Sequence, residues 1–155
     1  MENINDIVKI FLTAITPIGE LRASIPLGLT ILHQPWFLVF VVSVIGNMIP
    51  PIFILWLFPK VSGWLMNHSK LMNKFLNWLF ERTRKKAHDK IEKYGDLALI
   101  IFVAIPLPNT GAWTGTLAAW LFGIPMKRAL PNILYGVIIA GVIVTIITAG
   151  LINFL

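Results

Sequence analysis

The sequence predicts an all-α polytopic membrane protein built from two similar halves. Hydrophobic residues make up 57% of the 155-residue chain, and charged residues make up only 13%. A soluble protein of this size could not bury so much apolar surface, because its surface-to-volume ratio is too high. Two apolar runs are long enough to cross a bilayer, and each follows a shorter apolar segment that proline interrupts. We therefore predict a single membrane domain over residues 1–155.

The first half, residues 4–58, begins with a helical segment that is too short to cross a bilayer. Residues 4–16 would reach about 20 Å as a helix, against a hydrocarbon core of about 30 Å. This segment ends at Pro17, and a helical pattern resumes over 19–31 before Pro35. Irregular backbone inside a membrane is tolerated where protein or water satisfies its polar groups. We therefore predict a re-entrant helical hairpin with its break near Pro17.

Residues 35–58 predict the first full transmembrane helix. The run is uncharged and has a tryptophan near each end, which suits the two interfacial aromatic belts. As a helix it would span about 36 Å. Pro50 and Pro51 predict a kink, because neither can donate to the helical hydrogen-bond ladder.

A basic connector, residues 60–94, separates the halves. It holds most of the chain's 13 lysine and arginine residues but fewer than half of its 7 acidic residues. Nucleic-acid binding is one interpretation of such a cluster. Because membrane segments flank the connector, the positive-inside rule instead predicts a cytoplasmic location, in a multi-pass protein of the inner (cytoplasmic) membrane with no nucleic-acid partner. Apolar residues at helical spacing over 61–80 predict a basic amphipathic helix, either on the membrane surface or packed on the domain's own loops.

The second half contains the same kinds of segment in the same order. A short apolar segment over 96–105 ends at Pro106 and Pro108. A segment rich in small residues follows over 109–123, and it leads to a second full crossing over 130–155.

Residues 96–155 are therefore predicted to repeat the first half. A shift of ninety positions places the break at 15–22 onto 105–112, and Pro35 onto Pro125. The first crossing ends at the cytoplasmic connector and the second hairpin opens to the same side, so the two halves enter from opposite faces. In transporters, such an inverted repeat places the substrate near the bilayer midplane, at the facing ends of the half-helices.

Two proline-rich motifs carry a family resemblance. PIGELRASIPLGL (17–29) and PLPNTGAWTGTLAAWLFGIP (106–125) resemble the paired motifs of the small multi-drug export protein family of bacteria and archaea. The matching residues are Glu20, Arg22, Pro26, Gly28, Pro106, Pro108, Thr110, Gly111, Trp113, Thr114 and Gly115. More distantly, the order of segments resembles DedA-like membrane proteins, which implies lipid translocation and proton-linked transport. Where those proteins carry acidic residues at the second break, this chain has Pro108, Asn109 and Thr110.

Two charged residues lie inside the first motif and are candidates for a substrate site. Glu20 is expected in the first turn of a half-helix, where it is either a cap for free N–H groups or a carboxylate that carries a proton or binds a cation. Arg22 is electrostatically misplaced near a helix N-terminus and costs at least about 2.5–3.5 kcal/mol in a membrane. Its partner is a carbonyl freed by a proline break, an anionic substrate group such as phosphate, or Glu20 through distorted geometry.

The second break offers uncharged polar groups. A half-helix that begins there would direct free N–H groups at the midplane, which suits an anion. The alternative role of its glycines is close helix packing. The predicted substrate-binding residues are Glu20, Arg22, Asn109, Thr110, Gly111 and Thr114, and the predicted structural breaks are Pro17, Pro26, Pro106 and Pro108.

Other chemical classes lack the residues that they need. The chain has no cysteine, its three histidines lie far apart in sequence, and it has no phosphate-binding glycine loop followed by lysine. We therefore predict a transporter rather than an enzyme, with no cofactor and no metal. The favoured substrate is an amphiphilic anion such as a lipid phosphate. A cationic multidrug–proton exporter that uses Glu20 and a non-transporting structural subunit are the alternatives. Membrane lipids are expected partners, and the sequence leaves open coupling to protons or sodium and assembly as a homodimer.

Overall fold

The computed structural model describes residues 4–107 and 110–154, with the side chains of 83–93, 153 and 154 outside that description. Six α-helices follow one another within these residues: α1 (Ile4–Ile15), α2 (Glu20–Pro26), α3 (Trp36–His68), α4 (Lys70–Ala104), α5 (Ala112–Phe122) and α6 (Met126–Phe154). A π-helical turn, Leu27–Ile31, extends α2. The described residues contain no strand, which confirms the predicted all-α class.

Two of the helices, α3 and α6, are long and apolar enough to cross a bilayer. The apolar stretches are Trp36–His68, with 33 residues, and Met126–Ile152, with 27. These correspond to the two full crossings that the sequence predicts, although each helix is longer than predicted. Pro50 and Pro51 lie inside α3 and do not end it.

The basic connector is divided between α3 and α4, and this differs from the predicted helix over 61–80. The boundary is Ser69, whose backbone is extended and whose side-chain oxygen accepts a hydrogen bond from the Met72 N–H at 3.3 Å. Serine in this position satisfies a free N–H at a helix start. The polar part of the connector and the apolar segment over 96–105 therefore belong to one helix, α4.

Short non-helical segments separate α1 from α2 and α4 from α5. In the first break, the Thr16 side chain accepts a hydrogen bond from the Gly19 N–H at 3.0 Å. In the second break, the Thr110 side chain accepts one from the Leu107 N–H at 3.1 Å. Pro17 lies in the first break and Pro106 in the second.

The other two predicted breaks have different outcomes. Pro26 is the last residue of α2, but the chain continues there as a π-helical turn instead of leaving the helix. Pro108 lies outside the described residues.

Close contacts at glycines bring the short helices against the long ones. A methyl group added to Gly46 of α3 would lie 2.9 Å from the Phe11 carbonyl of α1, and one added to Gly136 of α6 would lie 2.9 Å from the Ile100 carbonyl of α4. Small residues allow helix backbones to approach this closely. The apolar core between the helices includes Ile10, Leu21, Ile25, Val39, Val103, Ala119, Ile133 and Val137. This packing places the two breaks in contact.

Candidate substrate site at the two helix breaks

Glu20, at the start of α2, caps the N-terminus of α5. Its carboxylate oxygen Oε1 accepts a hydrogen bond from the Trp113 N–H at 3.2 Å. This is one of the first N–H groups of α5, which have no partner within their own helix. Glu20 is only 5% exposed. The anion at the start of α5 is therefore a side chain of the protein itself.

The cap requires unusual backbone on both sides of the contact. Glu20 has a φ of 45° and Gly111 a φ of 130°. A side chain at Gly111 would collide with the Glu20 carboxylate and would lie 2.9 Å from the Arg22 Nη2 atom. Glycine is thus required at 111 for its conformation and for its lack of a side chain. A non-glycine residue in left-handed conformation, as at Glu20, costs about 1–2 kcal/mol.

Arg22, in α2, forms hydrogen bonds with the second break. Its Nη2 atom donates to the Thr110 carbonyl and lies 3.4 Å from the Thr110 hydroxyl. The same nitrogen is 3.6 Å from Oε2 of Glu20, an ion-pair distance. Arg22 therefore has two partners together: Glu20, and a backbone carbonyl at Thr110, one residue beyond the predicted carbonyls of 104–109 and not at the predicted Thr13 or Ala14. The pairing of residues two apart is possible because the left-handed backbone at Glu20 departs from regular helix geometry.

Trp113, in α5, forms a hydrogen bond with the end of α1. Its indole Nε1 donates to the carbonyl of Ile15 at 3.0 Å, and Ile15 is the last residue of α1. The last carbonyls of a helix have no intrahelical partner. Each break therefore satisfies free backbone groups of the other.

A groove opens beside this contact, between α2, the second break and the C-terminal part of α6. Its volume is about 430 Å³, within the range of about 300–1,000 Å³ that is typical of ligand pockets. Its lining consists of Arg22, Pro26, Thr30, Pro106, Val144, Ile147, Thr148, Leu151 and Ile152. Among these described residues only Arg22 is charged, and its side chain is 26% exposed.

A comparison with known protein families gives a match that includes the site residues. The family model for small multi-drug export proteins matches residues 20–143, which include Glu20, Arg22 and the whole of the second break. The chain belongs to the small multi-drug export protein family. No curated protein and no solved structure matches it. Family membership and the two long apolar helices identify a membrane protein, and at the level of the family it is a transporter rather than an enzyme.

The geometry brings together most of the predicted substrate-binding residues. Arg22 contacts both Glu20 and Thr110, and a side chain at Gly111 would meet Glu20 and Arg22. The Thr114 hydroxyl lies 3.5 Å from the Gly111 carbonyl, in the first turn of α5. The sixth predicted residue, Asn109, lies outside the described residues, as does Pro108.

Two residues of the site were not predicted as such from the sequence. Trp113 is expected from the sequence as part of the family motif and as a packing residue or interfacial anchor, and in the structure its indole links α5 to the end of α1. Asn47 of α3 is 1% exposed and lines a small cavity together with Glu20, Gly111 and Ala112. An asparagine inside an apolar transmembrane run was the available signal, because a polar side chain there needs a partner.

The described residues contain no group of three or more histidines, aspartates and glutamates that could hold a metal ion. The charges of the site are those of Glu20 and Arg22, which pair with each other and with backbone groups.

Proposed function

We propose that this family member moves an amphiphilic anion, with a lipid phosphate as the favoured class, and that Arg22 binds its head group. The observation that carries the proposal is the position of Arg22 as the charged residue of an otherwise nearly apolar groove. Its hydrogen bonds to described residues all use Nη2. Nε and Nη1 donate to no described residue, and a planar guanidinium suits phosphate oxygens.

The shape of the groove suits the apolar part of such a substrate. Its wall on α6 extends from Val144 to Ile152, roughly 12 Å at 1.5 Å per residue. An acyl or prenyl chain could lie along this wall while its head group contacts Arg22. The Glu20–Arg22 pair would compensate the charge of Arg22 when the groove is empty, at an ion-pair distance of 3.6 Å.

A cationic substrate bound by Glu20 is the alternative, and it has weaker support. The Glu20 carboxylate is buried, accepts the Trp113 N–H and lies next to Arg22. A cation would therefore have to approach past a guanidinium and the positive end of α5, both of which repel it. We also propose that any proton or sodium coupling acts through Glu20, as the acidic group at the contact between the breaks.

We further propose that the fold is an inverted repeat of two re-entrant hairpins, each followed by a full crossing. Several features support this arrangement. α1 has 12 residues and α5 has 11, so at about 16–18 Å neither could cross a bilayer. The long helices begin ninety positions apart, at Trp36 and Met126. The glycine contacts of α3 on α1 and of α6 on α4 are equivalent under nearly the same shift. We also propose that the connector lies in the cytoplasm and that the protein lies in the inner membrane.

Transport in proteoliposomes tests the proposed substrate and site. The purified protein would be reconstituted with a fluorescent lipid phosphate or with a cationic dye, each with and without a proton or sodium gradient. We expect wild-type protein to move the lipid phosphate and Arg22→Gln to lose this activity. Arg128→Gln is the matched control, because Arg128 is exposed and pairs with Asp96 away from the groove. Wild-type rates for folded Arg22→Gln, or movement of the cationic dye alone, would refute the proposal.

A further inference from the structure

Asn47 presents a buried polar atom that the described part of the chain leaves without a partner. The residue lies in the N-terminal half of α3 and is 1% exposed, and its side-chain oxygen Oδ1 accepts no hydrogen bond from any described residue. Buried polar atoms in native proteins are almost always hydrogen-bonded, to protein or to an ordered water. Asn47 Oδ1 therefore needs a donor from outside the described residues.

Asn47 lines a small cavity at the junction of α3 with the two breaks. Glu20, Arg22, Gly111 and Ala112 line it together with Asn47. The volume open to the centre of a water-sized sphere is about 10 Å³, which is close to the minimum for one water molecule. The rest of the lining is apolar and is formed by Leu21, Val103, Pro106, Val137 and Ala140.

The chemistry of the lining favours a donor with two hydrogens. Asn47 Oδ1 and the Glu20 carboxylate are both hydrogen-bond acceptors, and their two residues line the same small cavity. A metal cation is a poor candidate, because the guanidinium of Arg22 is 3.6 Å from Glu20 Oε2 and the positive end of α5 lies alongside. Water carries two donor hydrogens and no charge, and it fits the volume.

We propose that one water molecule is bound in this cavity, where it donates hydrogen bonds to Asn47 Oδ1 and to the Glu20 carboxylate. Glu20 lies in α2 and caps α5, and the water would connect it to α3 as well. The water would therefore join α3 to the contact between the two breaks. The inference concerns the empty protein and is independent of the substrate.

Infrared difference spectroscopy of the full-length protein in H₂¹⁸O against H₂¹⁶O tests for this water. We expect an isotope-sensitive O–H stretch of a buried water in wild-type protein and its loss in Asn47→Leu, which has a similar size and no polar side-chain atoms. Ser43→Ala is the matched control: Ser43 is also buried in α3, but its hydroxyl pairs with Ser24 at 2.8 Å, so the band should persist. Absence of the band in wild type, or its persistence in Asn47→Leu, would overturn the proposal.

The Tm of Asn47→Leu gives a second test, because it should rise if Asn47 is dry and fall if the water is bound. If the oxygen of Asn47 were dry and unpartnered, Asn47→Leu would remove an unsatisfied buried group and raise the Tm. With the bridging water present, the substitution removes a partner of Glu20, and we expect the Tm to fall. If Asn47→Leu fails to fold, a high-resolution structure of wild type decides, with one water in contact with both side chains supporting the proposal and an empty or ion-filled cavity overturning it.

Discussion

Substitution of Gly111 by alanine tests the contact between the two breaks most sensitively. Gly111 immediately precedes α5 and has a φ of 130° and a ψ of −165°. This region of conformational space is essentially restricted to glycine, and other residues held in such regions lose about 1–3 kcal/mol. The backbone alone therefore predicts a clear destabilisation.

The added methyl group also acts on the charged pair. It would overlap with the Glu20 carboxylate and lie 2.9 Å from Arg22 Nη2, so the carboxylate would have to leave the N-terminus of α5. A carboxylate in a partly buried position at a helix N-terminus contributes up to about 2 kcal/mol. Together the two effects predict that Gly111→Ala lowers the free energy of unfolding by about 1–5 kcal/mol.

Reversible unfolding in mixed detergent and SDS micelles, followed by circular dichroism, would measure this change. Gly63→Ala is the matched control, because Gly63 lies inside α3 and a methyl group there meets no atom within 4 Å. Its expected effect is a gain of about 0.5–1 kcal/mol, since alanine is the better helix former. Equal stabilities of Gly111→Ala and Gly63→Ala would refute the described contact.

Three further predictions concern other parts of the fold. Trp113→Phe removes the indole donor to the last carbonyl of α1 and should lower the free energy of unfolding by about 0.5–1.5 kcal/mol. Thermal unfolding measures this change, and an unchanged Tm would contradict the hydrogen bond. Ser69→Ala removes the N-cap of α4 and should increase hydrogen exchange in its first turn, whereas Ser69→Asp should preserve protection; equal exchange in both variants would contradict the cap. Because the natural chain has no cysteine, His33→Cys and Lys74→Cys can be labelled singly, and the proposed topology predicts labelling from opposite sides of the membrane; labelling from one side would exclude it.

The helix breaks and long helices could be predicted from local sequence rules. Pro17 and Pro106 lie where α1 and α4 have ended, as expected from a residue that cannot donate to the helical ladder. The two uncharged runs correspond to α3 and α6. The Ser69 boundary was missed because a single serine among polar residues is a weak signal, and its effect depends on the cap hydrogen bond.

The partners within the site depend on tertiary contacts that no local pattern specifies. Glu20 was expected as a cap of its own helix, but it caps α5. Its pairing with Arg22 contradicts regular helix spacing and follows from one left-handed backbone conformation. The resemblance to DedA-like proteins stays a prediction.

Binding of a short-chain lipid phosphate to the purified protein tests most directly whether Arg22 holds an anionic head group. A hydrogen bond to a charged group contributes about 1.5–3 kcal/mol, so titration calorimetry should show that Arg22→Gln weakens binding at least about ten-fold, while Arg128→Gln binds like wild type. Equal affinity of wild type and Arg22→Gln for the phosphate would contradict the proposed site.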